Sequence, residues 1–456
     1  MDLAIVVMAA GMGTRMKSAR PKVLHQILDK PLLSYVLEAV KSLEPTQVVV
    51  VVGHEADQVV APFHQELLPN GQPIKFVIQT PQLGTGHAVQ QALPLLENRP
   101  STVLVVPADL PLLTTATFKK LVQVFEDDQS PLVMLTVESD DPRGFGRIVR
   151  DEQRFVTAIV EEADCTPAQK TIRELNVGAY TFNTTWLGDN LDKLPLSQKG
   201  EYYLTDLVGV AVQQGLRVQA ELLTDATEAI GINDRTHLAE AERAFRQRIN
   251  QQWMRAGVTI VDPASTYIGA AVVLGQDTVI YPNTFLYGET KIGSDCVLGP
   301  NSFVIDSVVG NGCEIRYSVI EAAILENKVD IGPFSHLRKG AHLADGVHMG
   351  NFGEVKNSFL GPGTKMGHVS YLGDTTTGTN VNIGAGTITC NHDGVRKNRT
   401  NIGDDAFIGS DTMLVAPVNV GKNARTGAGA VVTKDIADNS LAYGVPARVR
   451  KSDPEP

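Results

Sequence analysis

The sequence predicts two folds in series. A Rossmann-like α/β domain with a mainly parallel sheet comes first, then a long connector helix and a parallel β-helix of six-residue repeats. Three patterns carry that reading. Up to about residue 230, apolar runs alternate with amphipathic stretches; residues 234–256 hold one unbroken helical pattern; beyond them aliphatic residues recur at every sixth position. The 456 residues accordingly divide into a domain at 1–233, a helical linker at 234–255 and a repeat domain at 256–456.

Leu3 to Ala10 is an apolar run that reads as a buried strand, and Gln47–Val52, Ile74–Ile78, Thr102–Val106 and Leu132–Val137 read the same way. Between them Leu32–Leu43 and His87–Leu96 space their apolar residues as helices do. Alternation of this kind implies βαβ crossovers and hence parallel pairing. Such sheets bind ligands beyond the carboxyl ends of their strands, where the turn at Gly11 and the carboxylate of Asp109 both fall.

The linker pattern runs from Asp234 to Ala256. Thr236 is the expected N-cap, with Glu240 and Glu242 early and Arg243, Arg246 and Arg248 later, in the order the helix dipole favours. Twenty helical residues extend about 30 Å, enough for a rigid connector.

In the repeat domain Ile268, Leu274, Ile280, Leu286, Ile292, Leu298 and Val304 fall six apart without a slip. Ile331, Leu337 and Leu343 make a second run; Leu360, Met366 and Leu372 a third; Ile402, Ile408, Leu414 and Val420 a fourth. Glycine often follows the aliphatic residue. A period of six suits a three-sided prism in which each short face sends one aliphatic side chain into a continuous core. About nine coils at ~4.8 Å give a length on the order of 45 Å.

Hydrophobic content of 43% and charged content of 20% are those of a globular protein, and the formal charge of −11 argues against nucleic acid or an anionic membrane as partner. No apolar run reaches the ~18 residues that span a bilayer, and Asp2 leaves no basic start for a signal peptide. Cys165, Cys296, Cys313 and Cys390 are scattered without metal-ligand spacing, so reduced thiols and a cytoplasmic location are expected.

The first strand ends at Gly11-Met12-Gly13-Thr14-Arg15, with Pro21-Lys22 beyond. Glycines there let backbone N–H groups approach a ligand, and Arg15, Lys17, Arg20 and Lys22 put four cations into eight residues of an acidic chain. That combination suits a triphosphate. It is not the dinucleotide fingerprint, because Met16 stands where the third glycine belongs, and no Gly-Lys-Ser/Thr makes it a Walker A loop. Asp109, directly after Val103–Ala108, can hold Mg²⁺ bridged to phosphates, whereas Asn233 in Gly231-Ile232-Asn233-Asp234 reads locally as a helix start. Ile78 to Ala88 adds an amide and a second glycine turn suited to a base edge. Gly144–Arg147, Ile159–Glu162 and Leu175–Gly178 offer hydrogen-bonding groups for a sugar.

The prism alone could be a scaffold. Polar interruptions argue for chemistry: Arg338-Lys339-Gly340, Gly350–Lys356, Lys365–Asp374, and the repeat-breaking residues 389–401, expected as a basic loop that reaches coenzyme A phosphates. His368 has the side chain for a general base toward an amine that attacks a thioester.

The pattern A-A-G-x-G-T-R followed by P-K resembles the signature of nucleoside-diphosphate-sugar pyrophosphorylases, and the repeats resemble those of hexapeptide acyltransferases, which wind left-handed. With Q-L-G-T-G-H-A, Gly200–Asp206 and G-H-x-S-Y-L-G-D followed by N-I-G-A-G-T-I-T-C-N, nearly the whole chain is similar to one family. That family is the bifunctional N-acetylglucosamine-1-phosphate uridyltransferases/glucosamine-1-phosphate N-acetyltransferases. The resemblance implies a nucleotidyltransferase fold for the first domain and a left-handed β-helix for the last. It implies acetyl transfer from acetyl-CoA to glucosamine 1-phosphate, then Mg²⁺-dependent UMP transfer from UTP to N-acetylglucosamine 1-phosphate in a homotrimer that feeds peptidoglycan and lipopolysaccharide precursors.

Carried onto matching positions, Met8, Ala9, Ala10, Gly11, Lys22, Gln79, Gly84, Thr85, Gly146, Glu161, Asn176 and Asn233 line the nucleotide-sugar site. Arg15 and Lys22 stabilise the transfer, and Asp109 with Asn233 holds Mg²⁺. Arg338, Lys356, Tyr371 and Asn382 bind the acetyl acceptor, His368 is the base, and Ala385, Asn391, His392, Ser410 and Ala428 contact acetyl-CoA. The chain departs from the pattern at Ala108, usually Gly, at His392, often Tyr, and at Gly444, where an Arg commonly precedes Val-Pro and Arg448 is the nearby substitute. A monofunctional nucleotidyltransferase with an inert prism would not need His368, Lys356 and the 389–401 loop together. A non-enzymatic scaffold would be expected to lack Lys22 or Asp109.

Overall fold

A computed structural model describes residues 2–98, 100–128 and 130–450. The chain divides into two compact units, Met1–Phe245 and Arg246–Pro456.

In the first unit the strands are β1 (Leu3–Ala9), β2 (Gln47–Val52), β3 (Lys75–Ile78), β4 (Thr102–Pro107), β5 (Leu132–Glu138), β6 (Arg147–Arg150), β7 (Val156–Val160), β8 (Glu174–Asn183) and β9 (Gln219–Leu222). They form one sheet in the order β9-β5-β8-β4-β1-β2-β3, with β6 and β7 a hairpin attached to β8. β1 pairs in parallel with β2 and β4, β2 with β3, and β5 with β9; along this path β8 alone runs antiparallel, between β4 and β5, and the attached β6–β7 hairpin is antiparallel. Helices cover both faces, so the central strands are buried all round. Ile5, Val7, Val50 and Leu104 pack to one side and Val6, Val49, Val103 and Val105 to the other.

Helix α1 (Leu32–Lys41) buries Leu32, Leu33, Val36, Leu37 and Val40, the i, i+4 stripe of its sequence, each contributing about 1.5–3 kcal/mol. Helix α2 spans Gly84–Ala92, three residues earlier than its hydrophobic pattern begins, because Gly84 and Thr85 form the turn into it. Helices α3 (Thr115–Asp127), α4 (Thr184–Leu191) and α5 (Asp206–Gln213) complete the layers.

Helix α6 is continuous from Arg235 to Arg255. Its cap is Asp234 rather than Thr236: Asp234 Oδ1 accepts from the N–H groups of Thr236 and His237 at 2.9 and 3.0 Å, and from the Thr236 hydroxyl. These bonds pull the Asp234 carboxyl down to about 2. Leu238, Ala241, Ala244 and Phe245 pack on Tyr35 and Ile232 within the first unit. Asn250 donates to Pro263 O and Thr266 O, and Arg246 lies over the Tyr267 ring, within the second.

The second unit is a parallel β-helix. Its first face runs from Thr259–Ile260 through twelve strands, its second from Tyr267–Ile268 through ten and its third from Val273–Leu274 through nine. Ten coils therefore cross the second face, against about nine expected. Every aliphatic residue of the four six-residue runs is buried. The runs are bridged by Val309, Ile315, Ile320 and Leu325, also buried. Val304 to Val309, Ile315 to Ile320 and Ile320 to Leu325 are steps of five rather than six. Glycines after the aliphatic residues let coils stack; a Cβ on Gly384 would lie 2.6 Å from Ser410 N. Strands extend through Cys390 and from Thr400, which narrows the excursion expected at 389–401 to residues 391–399. Among the described residues no helix is long and apolar enough to cross a membrane.

Candidate functional site

In the first unit the carboxyl ends of β1, β3 and β4 open onto a cavity of about 310 Å³. Met8, Ala9, Ala10, Gly11, Lys22, Gln79, Gly84, Thr85 and Asp109 line it, together with Met12, Gln82, Glu201 and Tyr203, which carried no assigned role in the sequence. Gly13 is required by geometry: its φ is 60°, and a Cβ there would sit 2.8 Å from Lys22 Cβ. That close approach brings Lys22 back over the strand ends, where its Nζ pairs with Asp109 Oδ2 at 2.6 Å. Ala108 N–H donates to Met8 O and Ile232 N–H to Asp109 O, so backbone bonds set Asp109 between β1 and the Asn233 segment. Arg15 Nη2 donates to Asn233 Oδ1 at 2.8 Å.

Gln79 sits at the end of β3, its N–H bonded to Val52 O. Its buried amide donates to Gly84 O at 2.9 Å. Gly84, with φ 91°, leaves room for Tyr202 O, which a Cβ would approach to 2.7 Å. The segment Gly200–Asp206 is tied to this turn: Tyr202 N–H donates to Leu83 O, Gly86 N–H to Tyr202 O, and Leu204 N–H to the Thr85 hydroxyl. Thr85 therefore lines the cavity with its oxygen already engaged. Those ties bring Glu201 and Tyr203 to the wall, which no local pattern in the sequence could reveal.

Gly146, Glu161 and Asn176 lie outside that lining but are brought together by β6, β7 and β8. Asn176 N–H donates to Gly146 O, and its side chain is held by the buried Tyr180 hydroxyl and by Gly178 N–H. Glu161 accepts from the Thr205 hydroxyl at 3.0 Å; burial pushes its carboxyl above the usual range, and neighbouring Asp206 and Asp164 push the same way. Arg147, fully buried, anchors the hairpin through Glu162 at 2.6 Å and Phe145 O.

In the second unit Asn351, His368, Ala385, Ser410 and Ala428 each stand two residues after a first-face strand. Register stacks those strands coil on coil, so the five residues form a column along one corner. A cavity of about 560 Å³ follows it, lined by His368, Asn382, Ala385, Ser410 and Ala428 and by His348, Lys365 and Phe407 of the first face. His368 is exposed, with Nδ1 3.3 Å from Asn351 Oδ1.

Arg338, Lys356 and Tyr371 fall instead on the second face, around the same corner. Glu354 registers opposite Tyr371 and pairs with Arg338 at 2.9 Å. The 391–399 excursion folds back on this face of its own chain: buried Asn391 donates to Asp374 at 2.6 Å, and His392 bridges to Lys397. Lys397 comes against Lys356, and this neighbour, with Arg338, lowers the Lys356 ammonium below the usual lysine value. Asn391 and His392 do not line the cavity of Ala385 and Ser410. Arg448 is exposed on the last strand, opposite Tyr443.

Oxygen donors at Asp109 and Asn233 suit a hard divalent cation, with the remaining positions left to water and phosphate. Among the described residues no group of three or more His, Cys, Asp or Glu converges as a metal-binding cluster.

Residues 5–177 match the MobA-like NTP transferase domain family, and residues 399–434 match the bacterial transferase hexapeptide (six repeats) family. Over 438 residues the chain is 46% identical to the bifunctional protein GlmU of Heliobacterium modesticaldum, covering 96% of this chain and 94% of that protein. The corresponding figures for the bifunctional protein GlmU of Exiguobacterium sibiricum are 45% over 449 residues, 98% and 98%. For that of Lactococcus lactis they are 44% over 452 residues, 99% and 97%.

Proposed function

The chain belongs to the bifunctional GlmU family, and from that membership we propose how each of its two sites works. It is a bifunctional transferase that makes UDP-N-acetylglucosamine, by acetyl transfer to glucosamine 1-phosphate and uridylyl transfer to the acetylated sugar phosphate.

At the corner of the β-helix the 2-amine of glucosamine 1-phosphate attacks the thioester carbonyl of acetyl-CoA. The C–N bond forms, the C–S bond breaks, and the proton leaves the amine for His368 and then the departing thiolate. Arg338 and Lys356 hold the sugar phosphate, Tyr371 and Asn382 the sugar, and the small side chains of Ala385, Ser410 and Ala428 leave a track for coenzyme A. The stacked column and its cavity support this reading.

At the strand ends of the first unit, a phosphate oxygen of N-acetylglucosamine 1-phosphate attacks the α-phosphorus of UTP, and pyrophosphate leaves in line. Lys22 and Arg15 neutralise the developing charge, Gly11 and its neighbours offer backbone N–H groups, and Gly146, Glu161 and Asn176 orient the sugar. Asp109 and Asn233 would hold Mg²⁺, which when bound supplies Lewis-acid stabilisation to the phosphates. The observation that carries this half is the convergence of Lys22 and Asp109, 87 residues apart in sequence, at the mouth of the glycine turn.

The active assembly is a homotrimer, and its location is cytoplasmic, where UTP and acetyl-CoA are made. The test is product analysis from UTP, glucosamine 1-phosphate and acetyl-CoA with Mg²⁺. UDP-N-acetylglucosamine is expected only when all are supplied; its formation without acetyl-CoA would refute the two-step scheme.

A further inference from the structure

The Gln79 amide is held twice, and both holds fall on the same atom. Nε2 donates to Gly84 O at 2.9 Å and lies 3.1 Å from His87 Nδ1. A carbonyl oxygen only accepts, so the Gly84 contact fixes which end of the amide is nitrogen. The second N–H then points at His87 Nδ1, which must present a lone pair. The neutral imidazole keeps its proton on Nε2; Gln91, one helical turn on, places its amide Nε2 3.1 Å from that nitrogen, and turning the amide end over presents its oxygen to the N–H.

Both hydrogens of the Gln79 amide are thereby engaged. The residue is 4% exposed, it lines the nucleotide cavity, and among the described residues its Oε1 meets no protein donor. The cavity wall carries an acceptor whose orientation cannot reverse without opposing the oxygen to Gly84 O and to the His87 lone pair. His87 itself is not part of the lining.

We propose that His87 is a positioning residue for base specificity: by accepting from Gln79 Nε2 it keeps the Gln79 carbonyl oxygen toward the base. The inference rests on the cavity being the UTP site. Uracil donates an N–H at N3 and satisfies that oxygen, whereas cytosine presents a lone pair at N3 and meets it with repulsion. Discrimination then comes from an acceptor held in one orientation, a polar group that a mismatched base leaves unpaired and opposed.

The experiment compares kcat/KM for UTP and CTP in wild-type, His87→Ala and His87→Asn full-length protein, with the melting transition of the first unit, followed by its stabilisation on adding UTP, as the check on folding. Removing the accepting nitrogen is expected to lower the UTP:CTP ratio about tenfold, the effect of one hydrogen bond, mainly by raising KM for UTP. Asparagine places an oxygen near the Nδ1 position and is expected to keep the ratio within about twofold. An unchanged ratio in His87→Ala, or equal loss in both variants, overturns the proposal. Wild-type protein that releases no pyrophosphate from UTP would refute the uridylyl reading itself, and this inference with it.

Discussion

Lys22 Nζ and Asp109 Oδ2 lie 2.6 Å apart, so the cation assigned to the triphosphate and the carboxylate assigned to the metal neutralise each other across 87 residues of sequence. Arg15 likewise donates to the Asn233 amide oxygen at 2.8 Å, a hydrogen bond that leaves the guanidinium charge uncompensated. On the proposed function, each pair opens for its members to reach phosphate and metal. Opening exchanges one charge partner for another and leaves neither Lys22 nor Asp109 unpaired in a part-buried site.

Asp109→Asn removes the charge that a divalent cation needs and leaves Lys22 without its partner. Uridylyl transfer, followed as pyrophosphate release, is expected to fall by at least about 10³-fold. Acetyl transfer, followed as free coenzyme A thiol, is expected to stay within a few-fold of wild type. Chelation of divalent cations should split the two reactions the same way, with Mg²⁺ restoring the first. Loss of both reactions in folded Asp109→Asn protein would contradict two independent sites.

His368→Ala is expected to do the converse, costing acetyl transfer the ~10²–10⁴-fold typical of a general base. Asn351 Oδ1 lies 3.3 Å from His368 Nδ1, and by accepting from it would leave Nε2 free to act as the base. Asn351→Ala should therefore lower kcat for acetylation by less than His368→Ala does, leaving KM for acetyl-CoA near wild type. A kcat unchanged by His368→Ala rules the histidine out as the base.

Lys397 and Lys356 face one another with Arg338 close by, an arrangement of like charges that calls for an anion. On the proposed function, the phosphate of glucosamine 1-phosphate is that anion. Lys397→Met is expected to raise KM for glucosamine 1-phosphate about tenfold and to flatten its dependence on ionic strength, while KM for acetyl-CoA changes little. A rise confined to acetyl-CoA would return this loop to the coenzyme side.

Glu161 gives a pH signature. Burial raises its carboxyl above the ordinary 4.5, so folding disfavours its charged form. Below pH 4.5 the group is protonated folded or unfolded and imposes no penalty; as pH rises through that value toward the higher folded one, stability is lost and stays lost. Glu161→Gln should therefore raise the melting temperature at pH 8 and leave it unchanged at pH 4, while uridylyl transfer falls through lost sugar contacts. A stabilisation equal at both pH values would mean that charge burial is not the cause.

Much of this architecture is legible in the chain because its periods are local. β2 matches its apolar run at both ends, and every aliphatic residue of the six-residue repeat is buried in the prism. The repeat is lost between Val304 and Ile331 because turns one residue shorter replace six-residue steps by five between Val304 and Val309, Ile315 and Ile320, and Ile320 and Leu325. A fixed-period reading has no way to anticipate those turns. Thr236 yields the cap to Asp234 because both residue types cap well and only backbone geometry chooses between them. Lys22, Asp109 and His368 show in the sequence through motif chemistry. Glu201, Tyr203 and the clamp of Gln79 by His87 do not, since they arise where Gly200–Asp206 docks on the Gly84 turn and where an amide chooses one of two orientations.

Assembly provides the last prediction. Tyr317, Phe334 and Phe352 stack along the prism corner with ring centroids 5.7 and 5.4 Å apart, and they are 40%, 56% and 56% exposed. Each holds a left-handed backbone, with φ of 47°, 63° and 56°, uncommon for bulky side chains. The line continues to Val369, 54% exposed and next to His368. We expect this contiguous aromatic edge to be covered in the assembly, and its continuity with the acetyl-transfer corner favours a second copy of the chain as the occupant. Cyclic symmetry repeats one such contact three times and closes three identical sites. Phe334→Glu combined with Phe352→Glu buries two charges in that contact, so sedimentation at assay concentration should show monomers. Acetylation should be lost with them, while uridylyl transfer, built within one sheet, persists. A monomer that acetylates at the full rate would overturn the shared-site assembly.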